Sequence, residues 1–234
     1  MKIDVITLFP DIFRGFTEEA LIKQAKKRKV LELNLINLRD YASDRHRTCD
    51  DAPYGGGAGM VLKCEPLFKA IKAASTRDSK VILLSPQGKT FNQKMAGELA
   101  KKKHLVFICG RYEGVDERVR ETLVDEEISI GDFVTAGGEL PAMLMIEATV
   151  RLVKGAIGKK ESYERDSFYE GLLDWPHFTR PAVYKKMKVP AVLLGGDHAL
   201  IQEWRQQQSE KITKSKRPDL WALHRKINKK RSGK

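Results

Sequence analysis

Short apolar runs, each ended by a turn of glycine or proline and most followed by a helical pattern, constrain this chain more than any other feature. The run at 3–9 is rich in β-branched residues and ends at Pro10, the run at 30–36 alternates, and 81–84, 105–109 and 128–130 are short and almost wholly apolar. Apolar residues recur at helical spacing over 12–25, with Asp11 as the expected cap, and again around 91–101 and 115–123. A strand that is apolar on both faces needs cover on both, which a strand-helix-strand alternation supplies. The pattern therefore predicts an α/β fold, a parallel sheet flanked by helices. A further helix over 141–154 starts at Pro141 and is nearly all apolar. It is expected to be buried, so its single Arg151 stands out.

At 234 residues the chain has room for one sizeable core and a small appendage. A hydrophobic fraction of 41% excludes disorder for most of it. No apolar run approaches the roughly 18–20 residues of a spanning helix, and Met1-Lys2-Ile3-Asp4-Val5 reads as a strand rather than a signal, so a cytoplasmic protein without a membrane partner is expected. Cys49, Cys64 and Cys109 lie far apart, which argues for reduced thiols and against a disulfide framework or a zinc site. Residues 37–60 and 155–175 are polar and without a period. The expected organisation is a main α/β domain over 1–156, a flexible linker over 157–175 and a small helical, basic domain over 176–234. Of the net charge of +12, nine units fall in the last 24 residues, where ten Lys/Arg face one acid, Asp219. Such a segment suits a polyanion surface or a solvated tail.

Gly55-Gly56-Gly57-Ala58-Gly59 has no Lys-Ser/Thr after it and no strand before it, which excludes a nucleotide P-loop and a dinucleotide fingerprint. Three other turns each follow a predicted strand: Leu84-Ser85-Pro86-Gln87-Gly88, Cys109-Gly110-Arg111-Tyr112-Glu113-Gly114, and the stretch from Ser129 through Gly137-Gly138-Glu139-Leu140-Pro141. Ligands of open α/β sheets bind at that edge, and glycines there let the backbone itself approach a ligand. An ordinary strand-to-helix turn explains any one of them; three in succession point to a site.

Taken in order, Ile6-Thr7-Leu8-Phe9-Pro10, Pro53-Tyr54-Gly55-Gly56-Gly57, Cys109-Gly110-Arg111-Tyr112-Glu113-Gly114-Val115-Asp116-Glu117-Arg118, Ser129-Ile130-Gly131-Asp132, Asp166-Ser167-Phe168 and Pro176-His177-Phe178-Thr179-Arg180-Pro181 resemble the bacterial tRNA (guanine-N1)-methyltransferases over essentially the whole chain. The resemblance implies a SPOUT-class α/β domain with a deep trefoil knot in its C-terminal part, working as a homodimer with the active site between subunits. It implies S-adenosylmethionine held by Leu83, Leu84, Ser85, Pro86, Gln87, Gly110, Tyr112, Glu113, Gly114, Ser129, Ile130, Gly131, Asp132, Phe133, Val134, Thr135, Gly137, Gly138 and Pro141. The implied substrate is the tRNA guanine immediately 3′ to the anticodon, methylated on N1 when the preceding base is also guanine. Magnesium assists that family, yet no carboxylate cage is written here, and Glu113 is the one contact considered. Ala52 and Ala58 replace an arginine and a proline usual in the family, in a loop expected near tRNA. Trp175 and Phe133 also depart from the usual residues but keep an apolar or aromatic body.

Guanine N1 carries a proton at neutral pH, so its methylation needs a base and a positive group near O6. Asp166 is the candidate base and Arg151 the candidate charge stabiliser. The bland alternatives are a helix cap for Asp166 and an i,i+4 pair with Glu147 for Arg151. For tRNA the candidates are His177 and Arg180 from the family-like segment, and Lys226, Lys229, Lys230 and Arg231 from charge. Two other functions fit parts of the pattern: a knotted methyltransferase acting on another RNA, and a non-catalytic RNA-binding protein.

Overall fold

The computed structural model describes residues 1–157 and 166–232. The chain divides into two compact units, Met1–Lys159 and Lys160–Lys234. The strands of the first unit are β1 (Lys2–Thr7), β2 (Glu32–Asn37), β3 (Asp50–Asp51), β4 (Val61–Leu62), β5 (Ser79–Thr90), β6 (His104–Cys109) and β7 (Glu126–Ser129). Its helices are α1 (Arg14–Glu18), α2 (Ala20–Lys27), α3 (Cys64–Ala74), α4 (Gln93–Leu99), α5 (Glu117–Leu123) and α6 (Glu139–Val150). Five of the strands form one parallel sheet in the order β2-β1-β6-β5-β7, while β3 and β4 pair apart from it.

Burial explains this order. All six residues of the central β6 are buried. Leu105 and Phe107 pack on one face with Ile22 of α2, Leu99 of α4 and Met145 and Ile146 of α6. Val106 and Ile108 pack on the other with Leu67 and Ile71 of α3 and Val119 of α5. Each large side chain buried in this way contributes about 1.5–3 kcal/mol. The predicted parallel sheet with helices on both faces is the observed one.

Several local expectations change. The helix expected over 12–25 is a 3-10 turn (Pro10–Phe13) and two short helices parted at Glu19, the second opening on Ala20 with φ of +45°. Asp11 does not cap it: the N-cap is Phe9, without a side-chain bond, and Asp11 sits in the turn behind Pro10. Helix α3 was not expected. Helix α6 begins two residues before Pro141 and ends at Val150, so Arg151 closes the helix instead of lying within it. It is also not wholly buried, since Leu140 is 62% and Leu144 49% exposed.

In the second unit, β8 (Val183–Tyr184) and β9 (Met187–Lys188) form a hairpin, followed by α7 (His198–Lys216) and α8 (Pro218–Ser232). The Asp197 carboxylate caps α7, accepting from the Ala199 and Leu200 amides. Of the stretch read as a linker, 158–165 lies outside the described residues. From Asp166 onward it belongs to the second unit: Leu172 is buried, and the Leu173 N–H donates to the buried Thr213 hydroxyl at 2.8 Å. Among the described residues no helix is long and apolar enough to cross a membrane.

Candidate functional site

A cleft of about 440 Å³ opens at the C-terminal edge of β5, β6 and β7, a volume within the range of about 300–1,000 Å³ usual for small-ligand sites. All the expected cofactor residues line it except Gly131 and Asp132. Arg111, Val115, Glu117, Arg120, Ile128 and Ala136 line it too and were not expected. Arg120 was within reach of the sequence, because it lies one turn past Glu117 on the helix that leaves the second glycine turn.

Close backbone approach builds the cleft. β5 pairs with β7 up to Leu84↔Ile128, then leaves the sheet at 85–88 and returns with Lys89 opposite the same Ile128. A Cβ on Gly88 would lie 2.4 Å from the Glu127 carbonyl carbon, so the excursion closes only with glycine there. Arg120 steadies it, donating to Gln87 Oε1 at 2.6 Å and lying 2.7 Å from Glu127 Oε1. The second turn bends at Tyr112 and Gly114, with φ of +58° and +123°. The third docks on the second: the Gly138 N–H donates to Gly110 O at 2.8 Å, and the Thr135 hydroxyl donates to Gly137 O at 2.8 Å.

A buried charge ties these turns to β1. Glu139, 1% exposed, accepts from the Thr7 hydroxyl at 2.8 Å, and its other oxygen lies 3.0 Å from Arg111 Nε. Arg111 in turn donates to Ala136 O at 3.2 Å and lies over the Phe9 ring, 4.5 Å from its centroid. Beside this pair, burial pushes the Cys109 thiol well above its ordinary range, with the Glu139 charge adding to the effect. A thiol held protonated is a poor nucleophile. At the start of α5, the Arg118 guanidinium holds the Asp116 carboxyl below its usual range while Asp116 caps the helix through the Arg118 amide.

The remaining candidates divide between the units. Arg151, half-buried, belongs to the first, and its amide donates to Glu147 O at 3.2 Å. Asp166, half-buried, belongs to the second, where its carbonyl accepts from Tyr169 N at 3.2 Å in a turn rather than a helix cap. It lines a cleft of about 330 Å³ with Glu170, Trp175 and Arg205, whose guanidinium lies 5.0 Å from the Trp175 ring centroid. His177 is exposed and bonded to the Asp174 carboxylate at 2.7 Å, and Arg180 is exposed before a cis peptide to Pro181. Lys226 and Lys229 are exposed on α8; the side chains of Lys230 and Arg231 lie outside the described residues. On the same helix Leu223 and Ile227 are 55% and 44% exposed.

An open parallel sheet whose carboxyl edge carries a cleft lined by glycine-rich turns is the arrangement of an α/β ligand-binding protein. The family model for tRNA (Guanine-1)-methyltransferase TrmD matches residues 1–223, and the chain belongs to that family. It is 53% identical to the tRNA (guanine-N(1)-)-methyltransferase of Bacillus pumilus over 94% of this chain and 91% of the relative. The enzymes of the same name from Carboxydothermus hydrogenoformans and Bacillus subtilis are 52% and 51% identical, over 94% and 96% of this chain and 87% and 93% of theirs.

Proposed function

We propose that this chain transfers a methyl group from S-adenosylmethionine to N1 of a tRNA guanine, the one immediately 3′ to the anticodon when the preceding base is also guanine. The observation that carries the reading is the cleft between the three turns. Its walls fit a cofactor read through the backbone, because a Cβ at Gly138 would lie 2.7 Å from Cys109 Cα and 3.0 Å from Gly110 N, and would push the turns apart. Leu83 to Gln87, Gly110, Tyr112 to Gly114 and Val134 to Gly138 would hold it. When bound, S-adenosylmethionine supplies an electrophilic methyl group on its sulfonium.

The chain's own residues supply the rest. Asp166 takes the N1 proton, and Arg151 offsets the negative charge that develops at O6, where a fixed guanidinium needs no reorganisation during the reaction. Positioning completes the task, so no covalent intermediate with the protein is needed. The buried, protonated Cys109 accords with that. We extend the reading to a knotted topology for the cofactor turns and a homodimer that shares the site in the cytoplasm. The exposed Leu140 and Leu144 on the largely apolar α6 support the dimer, since the described residues leave them without cover. The described residues contain no cluster of three or more His, Cys, Asp or Glu able to hold a metal ion.

The test is Asp166→Asn. Turnover should fall by about 10²–10⁴, the usual worth of a general base, while cofactor affinity holds. A rate near that of the unaltered protein would sink the assignment.

A further inference from the structure

The hairpin of β8 and β9 has a turn that its residues do not favour. Tyr184 pairs with Met187, and the two residues between them, Lys185 and Lys186, have φ of +48° and +67°. Positive φ at both central positions is the type I′ geometry, for which Asn-Gly is the low-cost choice. A β-carbon and a long side chain at both positions store conformational strain in an exposed tip. Strain of this kind persists where the side chains are wanted, and what these two add is charge.

The surroundings specify the partner. From Trp175 to Gly196 the sequence holds Arg180, Lys185, Lys186 and Lys188 and no acidic residue. Every residue of 177–188 is exposed. The exposed set includes apolar and aromatic side chains: Phe178 at 48%, Val183 at 53%, Tyr184 at 58% and Met187 at 64%. Lys185 Nζ lies 5.5 Å from the Tyr184 ring centroid, so ring and cation share one surface. Cations beside exposed rings, in a stretch of sequence without acidic residues, make a platform for unpaired nucleotides: lysines hold the backbone while a ring stacks on a base.

We propose that this hairpin is an RNA-binding finger, with Lys185 and Lys186 on tRNA phosphates and Tyr184 stacked on an unpaired base. The proposal rests on the reading of the chain as a tRNA methyltransferase and adds a contact surface separate from the basic helix α8.

The test uses the full chain, an unmodified tRNA transcript and a titration over salt concentration. Lys185→Asn with Lys186→Gly places the favoured pair in the turn, so the hairpin folds at least as well as before while two cations are lost. The slope of log Kd against log salt should become shallower by about 1.4, which corresponds to roughly tenfold weaker binding near 0.15 M salt. Cofactor affinity should not move. Tyr184→Leu keeps an apolar strand residue and removes the ring; binding should weaken by about fivefold or more with the salt slope unchanged. Unchanged Kd and slope in the double variant, with the unaltered protein binding and methylating the transcript, would overturn the finger alone. An unaltered protein that neither binds nor methylates any tRNA would bring down the underlying reading and the finger with it.

Discussion

The same substitution, Gly→Ala, should have opposite effects at two positions. At Gly138 the backbone is ordinary for any residue, with φ of −77° and ψ of −4°, so alanine meets no conformational penalty. What it meets is β6: its Cβ would lie 2.7 Å from Cys109 Cα, 3.0 Å from Gly110 N and 3.2 Å from the Cys109 carbonyl carbon. Carbon atoms pack at about 3.5–4.0 Å, so the start of α6 must retreat by nearly 1 Å. All three neighbours are main chain, so no rotamer change relieves the clash. Overpacking of this kind costs about 1–3 kcal/mol. At about 2–4 °C per kcal/mol for a chain of this size, Tm should fall by about 2–12 °C. The retreat also stretches the Gly138 N–H to Gly110 O bond that closes the cleft, so the Kd for S-adenosylmethionine should rise about tenfold or more. At Gly97, inside α4, a Cβ meets nothing within 4 Å. Alanine there should stabilise by about 0.5–1 kcal/mol, raising Tm by about 1–4 °C with cofactor affinity unchanged. Thermal unfolding and calorimetric titration of both variants decide the matter. A Gly138→Ala protein with unaltered Tm and Kd would refute the claim that glycine is needed for the turns to meet.

Other consequences follow from the same geometry. Cys109 and Cys49 should resist a thiol reagent at pH 8 in the folded protein and react on unfolding, with the half-buried Cys64 labelled first. Because burial raises the folded pKa of Cys109 above its value of about 9 in the unfolded chain, its contribution to stability is complete below that pH and is lost as pH rises through the folded value. Cys109→Ala should therefore flatten the alkaline decline in the denaturation midpoint, and an identical decline would contradict the sign. Leu144→Glu should convert a species of twice 26.5 kDa into a monomer in sedimentation and abolish methyl transfer; an unaltered protein that already sediments as a monomer would remove the dimer from the account. Arg151→Ala should lower kcat more than it weakens tRNA binding, whereas a loss confined to binding would point to a phosphate contact.

Much of the first unit was legible because its signals are local. The β-branched runs and the turns behind them mark β1, β5, β6 and β7, and the glycines mark where the cleft lies. Helix α3 has Leu67, Ala70, Ile71 and Ala74 at helical spacing, a signal that a reading passing from the loop at 37–60 to the run at 81–84 leaves out. The partners of Glu139 were not legible at all: Thr7 is 132 residues away, and nothing near Glu139 marks it as a buried charge. The return of β5 at Lys89 is similarly hidden, because Ser85-Pro86 reads locally as the end of a strand. The exposed leucines of α6 show the limit of composition: an apolar helix reads as buried, and the described residues leave Leu140 and Leu144 uncovered. The strain at Lys185-Lys186 depends on two dihedral angles and has no counterpart in the composition.

The most direct measurement is transfer of labelled methyl from S-adenosylmethionine to unmodified tRNA transcripts that carry guanine or adenine immediately 3′ to the anticodon, with the product mapped to its atom. The account predicts label on N1 of that guanine and none on the adenine transcript. Label on another position, or no transfer by a protein that binds the cofactor, would contradict it.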